Sequence, residues 1–315
     1  MTMNRREFGM LCAAALGALA MPRMAHAASA LAGMPPGAID VHNHIVGPMA
    51  KYPMAANRTY TPPEASVAQL RALRTQLGVA RNVIVQPSFY GFDNSQLVDA
   101  LTELGTSARG VAVVPQTVSD AELQRLASKG VTGVRLNLAT AGVRDPKVAI
   151  DAINGFAPRF VALNWHIQIN TGLPVVQAIA PTVAGLKVPV VFDHMANLEA
   201  EKGVGQPGFA AFVELVKSPN VYVKLSAPYN LSKLPPPWPD VVPFAKALIA
   251  AAPNRMLWGT NWPHPGNARG PITQITPYQV VDNPKLLTAF AEWCPDAAMR
   301  KMILVDTPQR LYRFV

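Results

Sequence analysis

Cysteine is nearly absent from the 315 residues, and the two that exist cannot pair in the mature chain. Cys12 lies in a leader-like segment that is removed, so Cys294 remains alone, an intramolecular disulfide is excluded, and stability has to come from core packing. Charge is sparse as well, at 15% of residues against 50% hydrophobic, which excludes an extended disordered chain and suits a compact one. Despite a formal charge of +9, no lysine and arginine run of the nucleic-acid-binding kind occurs, so no nucleic-acid partner is expected. Beyond the leader, no segment reaches the roughly 18 uninterrupted apolar residues that a membrane span requires. Repeats, low-complexity tracts and heptads are missing, and the sequence does not specify an oligomeric state. The glycine fingerprint of a dinucleotide-binding fold does not follow the first strand, which counts against an open doubly wound sheet.

What is present begins with an export signal. Residues 1–27 run from a basic start through an apolar stretch to Ala25-His26-Ala27, and Arg5-Arg6 followed by Glu7-Phe8 resembles the twin-arginine type. A folded protein carried across a bacterial inner membrane into the periplasm is expected, with no membrane association after cleavage. Leu11 beside Cys12 does not fit a lipoprotein leader. Residues 28–36 read as a linker and 37–315 as a single domain. With Arg5, Arg6, Arg23 and Glu7 gone, the formal charge is +7, which favours an anionic small-molecule partner.

Within 37–315, eight apolar runs bounded by turn residues alternate with helix-like segments: 37–44, 81–87, 110–116, 131–137, 165–170, 188–194, 221–226 and 255–261. Segments such as "PPEASVAQLRALRTQLG" and "SDAELQRLASKG" carry apolar residues at helical spacing and end in glycine. Strands that alternate with helices pair in parallel, and eight of them predict an α/β fold of the (β/α)8 TIM-barrel type with its site at the C-terminal strand ends. The proline-rich stretch 227–241 reads as a stiff rim loop.

Side chains alternate across a strand, so the inward set can be counted in steps of two. The count places Asp40, His42 and His44 inward from the first strand, Gln86 and Ser88 from the second, and Arg135 and Asn137 from the fourth. His166, Gln168 and Asn170 follow from the fifth, His194 from the sixth, Lys224 and Ser226 from the seventh and Asn261 from the eighth. A parallel barrel strand is apolar on both faces except where function intervenes. The H-x-H pair His42 and His44 has the chemistry either to hold a metal or to polarise a carbonyl. His166 suits a core histidine as well as a substrate contact. Arg135 and Lys224, two cations aimed at one cavity, suit a carboxylate-bearing ligand, for which arginine supplies a planar fork.

At this point "DVHNHIVGP", "VIVQPSFYGFDNS", "GVRLN", "WHIQI", "VVFDHMAN", "WGTNWPHP" and "ILVDTPQRLYRF" together resemble the amidohydrolase-related proteins. The resemblance is to the branch that includes 2-pyrone-4,6-dicarboxylate lactonase and the sugar-acid lactone hydrolases and isomerases, and it extends over the whole mature chain. It implies an amidohydrolase-type barrel and lactone hydrolysis without an obligatory divalent metal. It also implies that His42, His44 and His194 polarise the lactone carbonyl and that Arg135 with Ser88 binds the substrate carboxylate. Asn261 falls where the family has the aspartate that activates water, and Asn170 where the pyrone lactonase has a tyrosine. With only amides at 170 and 261, no tightly bound metal and no other cofactor is expected; His42, His44 and His194 are the set that would hold a divalent ion such as zinc.

An asparagine can orient water but cannot take its proton. The expectation is therefore a lactone-processing hydrolase or isomerase in which His194 or His264 is the base and Asn261 positions water or a substrate hydroxyl, with His166, Asn170 and Lys224 among the substrate contacts. The alternatives are a periplasmic binding protein that keeps the carboxylate pocket without catalysis, and an engineered substitution at Asn261.

Overall fold

A computed structural model describes residues 34–266 and 271–315. The export signal 1–27 and most of the linker 28–36 lie outside the described residues.

Eight parallel strands follow one another in a single sheet in sequence order: β1 (Ile39–Asn43), β2 (Arg81–Val85), β3 (Ala108–Ala112), β4 (Val131–Asn137), β5 (His166–Asn170), β6 (Val190–Phe192), β7 (Val221–Ser226) and β8 (Met256–Gly259). The sheet closes on itself just past β8, where the backbone of His44 donates to the Trp262 carbonyl at 2.8 Å and that of Asn261 donates to the His42 carbonyl at 2.9 Å. This is the expected (β/α)8 barrel. The H-x-H pair and Asn261 thus share one seam.

Local chemistry sets the helices. In α1 (Val67–Leu77), Ser66 accepts from the Gln69 backbone while the Gln69 side chain accepts from that of Ser66, and Gly78 closes the helix in the left-handed region at φ 69°. Ser119 caps α2 (Asp120–Ser128) in the same way on one side, accepting from the Glu122 backbone. The helices between the strands lay their apolar faces on the outer surface of the sheet, against residues such as Val134, Ile167, Phe192 and Val223. All eight expected strands are present. The third starts two residues earlier and stops earlier than expected, because Asn82 and Val83 of β2 already pair with Ala108 and Arg109.

Inside the barrel, Ile39, Val41, Val83, Val85, Val111, Val191 and Leu257 form one cluster with Leu311, Tyr312 and Phe314 of the C-terminus. Alternate residues from five different strands meet in one place only in the interior, so the C-terminal segment plugs the bottom, where Phe314 lies against Arg81 and Arg109 at the starts of β2 and β3.

This packing corrects the inward count on three strands, β1, β2 and β6, the last because Val191 faces inward and puts Asp193 rather than His194 on that parity. Ile39 and Val41, not Asp40, face inward, and the β1–β2 register slips between Asp40 and Asn43, so three residues of β1 oppose two of β2. That bulge puts Val41 and His42 on the same side and returns His44 to the interior. Asp40 turns into the seam and accepts from Thr260 and Asn43. On β2, Val83 and Val85 face inward and Gln86 turns away to donate to the Asp93 carbonyl. Ser88 still reaches the cavity, because the chain has left the strand by then.

Candidate active site

Above the apolar plug, the C-terminal strand ends enclose a cavity of about 220 Å³, smaller than the usual range for drug-sized ligands. Its walls include His44, Ser88, Arg135, Asn170, His194 and Asn261, six of the ten side chains given catalytic or binding roles from sequence, and Asn137, also counted inward, together with Tyr60, Thr140, Asn197 and Asn230.

The remaining four lie elsewhere. His42 is fully buried one layer down, its ring 5.0 Å from that of His44 and 4.6 Å from that of His194. Lys224 is buried at the same depth, where it donates to the Val41 carbonyl at 3.0 Å and to Gln168 Oε1 at 2.7 Å and contacts His42 Nδ1 at 3.2 Å. It is a structural cation beneath the site, not a lining group. His166 is corrected from a substrate contact to a core residue: it opens β5 at the barrel bottom, packs edge-on against Tyr312 at 5.2 Å, and is absent from the cavity walls. His264 is also off the cavity, with both ring nitrogens engaged, Nδ1 by the Tyr229 hydroxyl at 2.9 Å and Nε2 by Asn283 Oδ1 at 3.0 Å. It has no free nitrogen to act as the water's base.

One residue that organises the site was not named from sequence. Asp193 follows β6 on the inward side, fully buried, and its Oδ2 accepts from Arg135 Nε and Gln168 Nε2, each at 3.0 Å. Its Oδ1 lies 3.3 Å from His42 Nδ1 and 3.5 Å from Lys224 Nζ. Burial alone would raise its pKa, but the His42 ring and the cations Lys224 and Arg135 outweigh it and hold the carboxyl well below the usual range. One step of alternation beyond Val191 would have found it. The sequence count stopped instead at its neighbour His194, which enters the site by another route: residues 194–197 all have positive φ, between 46° and 58°, and this left-handed turn swings the ring over the cavity.

The charge state of the walls follows from burial. It pushes His44 down to about 3, with the Arg135 charge adding to the effect, and His194 down to about 4, so both imidazoles are neutral at pH 7. Burial likewise lowers Lys224 to about 8. His44 Nδ1 lies 2.8 Å from the Val85 carbonyl, which can only accept, so the ring proton sits on Nδ1 and Nε2 keeps its lone pair. His194 Nδ1 pairs with Ser226 Oγ at 2.8 Å, a partner able to donate or accept. Asn261 stands in the left-handed region at φ 60°, donates from Nδ2 to Tyr229, and leaves Oδ1 without a partner among the described residues.

Among the described residues, His42, Asp193 and His194 offer ligand atoms within 4.8 Å of one another. Two imidazoles and a carboxylate match the three-ligand set of a catalytic zinc site. The triad expected from sequence is changed in one member, with Asp193 where His44 had been placed.

Residues 39–314 match the model of the family described as Amidohydrolase. The 2-pyrone-4,6-dicarboxylate hydrolase of Comamonas testosteroni is 39% identical over 289 residues, covering 89% of this chain and 91% of the relative. The 4-sulfomuconolactone hydrolase of Rhizobium radiobacter is 34% identical, with 89% and 91% covered. The crystal structure of the probable 2-pyrone-4,6-dicarboxylic acid hydrolase of Acinetobacter baumannii, with citric acid bound, superimposes with a TM-score of 0.74 at 25% identity, covering 88% of this chain and all of that one.

Proposed function

This chain belongs to the amidohydrolase family, and from that premise we propose that it hydrolyses the ring ester of a small lactone bearing a carboxylate. The carrying observation is the meeting of an anion fork and neutral imidazoles in one cavity: Asp193 holds Arg135 by Nε, and Arg135, His44 and His194 all line the cavity. Relatives named for pyrone-dicarboxylate and sulfomuconolactone hydrolysis, and citric acid bound in a neighbour, support an acidic lactone.

In this mechanism Arg135 and Ser88 bind the substrate carboxylate. Water gives one hydrogen bond to the His44 Nε2 lone pair and the other to Asn261 Oδ1. As the oxygen attacks the carbonyl carbon, His44 takes the proton, and His194, with Ser226 donating to its Nδ1, presents Nε2–H to the developing oxyanion. His44 then returns the proton to the departing alkoxide as the ring C–O bond breaks.

The reaction runs without a tightly held metal. The one carboxylate in the candidate triad is already bound by Arg135 and faces Lys224, so a dication would enter a site whose anion is spent on two cations. The amides of Asn137, Asn170, Asn197, Asn230 and Asn261 line the cavity, and Asn197 donates to Asn170, which donates to Asn137, each at 2.7 Å. Amides both donate and accept, as hydroxyls do, so a hydroxylated lactone suits this wall better than a planar pyrone. The leader supports placing the activity in the periplasm, which a reporter fused after Ala27 would check.

The test is hydrolysis of aldonic, aldaric and pyrone-dicarboxylate lactones by the purified mature chain, beside its Asn261→Asp variant, with and without a chelator. Turnover by the unaltered chain that survives chelation is expected, fastest with a hydroxylated lactone. Turnover by the Asp variant alone would overturn the proposal in favour of a binding protein.

A further inference from the structure

An asparagine side chain can turn over end for end at little steric cost, exchanging an acceptor for a donor. Which end Asn261 shows the cavity therefore depends on what holds its other end. Its Nδ2 lies 3.0 Å from the Tyr229 hydroxyl, that hydroxyl lies 2.9 Å from His264 Nδ1, and His264 Nε2 lies 3.0 Å from Asn283 Oδ1. Of these four residues, only Asn261 lines the cavity. We propose that Tyr229, His264 and Asn283 are positioning residues: a one-directional hydrogen-bond relay that locks the Asn261 amide with its oxygen toward the attacking water. The inference rests on the hydrolytic reading above.

The direction follows from counting protons. With Asn283 Oδ1 accepting, the single proton of a neutral His264 sits on Nε2, and Nδ1 is left as an acceptor. Tyr229 has one proton and two acceptors in reach, His264 Nδ1 at 2.9 Å and the Thr260 carbonyl at 3.4 Å; once the proton is given to the nearer, Nδ1, the phenol oxygen can only accept. The group of Asn261 that can donate to it is Nδ2, which sends Oδ1 into the cavity. Burial supports these protonation states, since it pushes His264 down to about 4 and the Tyr229 phenol upward, so the ring is neutral and the hydroxyl keeps its proton. Reversing Asn261 would require every member to reverse. The relay is also matched to an amide, because a carboxylate at 261 has no N–H to give. Tyr229 would then have to donate to the carboxylate and leave His264 Nδ1 without its proton.

Two measurements test the relay. In the free full-length mature chain, the nitrogen chemical shifts of His264 at pH 7 are expected to report the Nε2–H tautomer. Tyr229→Phe, which keeps the ring, is expected to move the Nδ1 resonance and to lower kcat by about 10- to 100-fold, the range for groups that orient residues in contact with reactants, with KM changed much less. An Nδ1–H tautomer would overturn the relay, as would a folded Tyr229→Phe enzyme with unchanged kcat. The tautomer needs no substrate, so absence of turnover in the unaltered chain would sink the hydrolytic reading while leaving the relay testable.

Discussion

Arg135 faces the cavity because Asp193 holds it from behind, and the same carboxylate compensates Lys224, an ammonium with no exposure at all. Replacing Asp193 with Asn would leave two buried cations short of their anion. Unpairing a buried charge typically costs about 3–5 kcal/mol, so Asp193→Asn is expected to lose roughly that much in urea unfolding and to raise KM for the acidic substrate. His44 carries a different expectation. A histidine base must be neutral, and one near its ordinary pKa of about 6.5 would lose activity as pH falls through that value. Burial and Arg135 hold His44 at about 3, and burial holds His194 at about 4, so the acid limb of kcat/KM should lie near pH 4 or below. A limb near 6.5 would remove both from proton transfer and point to a group outside the walls described above.

At the scale of elements, strand alternation made most of the site legible. It succeeded on β4 and β5, where Arg135, Asn137 and Asn170 all reach the cavity, and failed on β2 and β6, where the count took the wrong phase against Val83, Val85 and Val191, and on β1, where the backbone departs from period two. The β1 bulge and the left-handed turn after β6 are such departures, and neither leaves a mark in hydrophobic patterning. Four successive left-handed residues without a glycine, His194 to Asn197, are costly at roughly 1–2 kcal/mol each, a strain stored where it swings the His194 ring over the cavity. At the β1–β8 seam a side chain is excluded: a Cβ on Gly259 would stand 2.8 Å from that of His42 and 2.9 Å from its backbone nitrogen. Gly259→Ala must therefore push β1 away and carry the H-x-H pair with it. Thermal denaturation should show a loss of about 1–3 kcal/mol, as for overpacked cores, together with a fall in kcat that an equally destabilising change on the outer helices would not produce.

The whole molecule buries histidines at both ends of its axis. His44 and His194 stand at the cavity, His264 behind it, and His166 at the bottom against the C-terminal plug, where neither ring nitrogen meets a partner among the described residues. That plug was not legible in the sequence, because Leu311, Tyr312 and Phe314 belong to no strand and are placed only by barrel closure. Burial lowers His44 and His166 to about 3, His194 and His264 to about 4, and His42 well below its ordinary value, while in the unfolded chain all five titrate near 6.5. Between about pH 6.5 and pH 4 the unfolded state therefore binds more protons than the folded one, and stability must fall as pH falls through that window. Urea midpoints measured from pH 7.5 to 4.5 should decline steadily from about pH 6.5, before most carboxylates begin to protonate. His166 isolates the effect from catalysis, since it touches neither the cavity nor the relay. His166→Leu removes one of the five titrating groups and an unpaired buried polar ring, so its midpoint should stay close to the unaltered chain at pH 7.5 and exceed it at pH 5. Parallel curves for the two proteins would mean that acid lability comes from other groups.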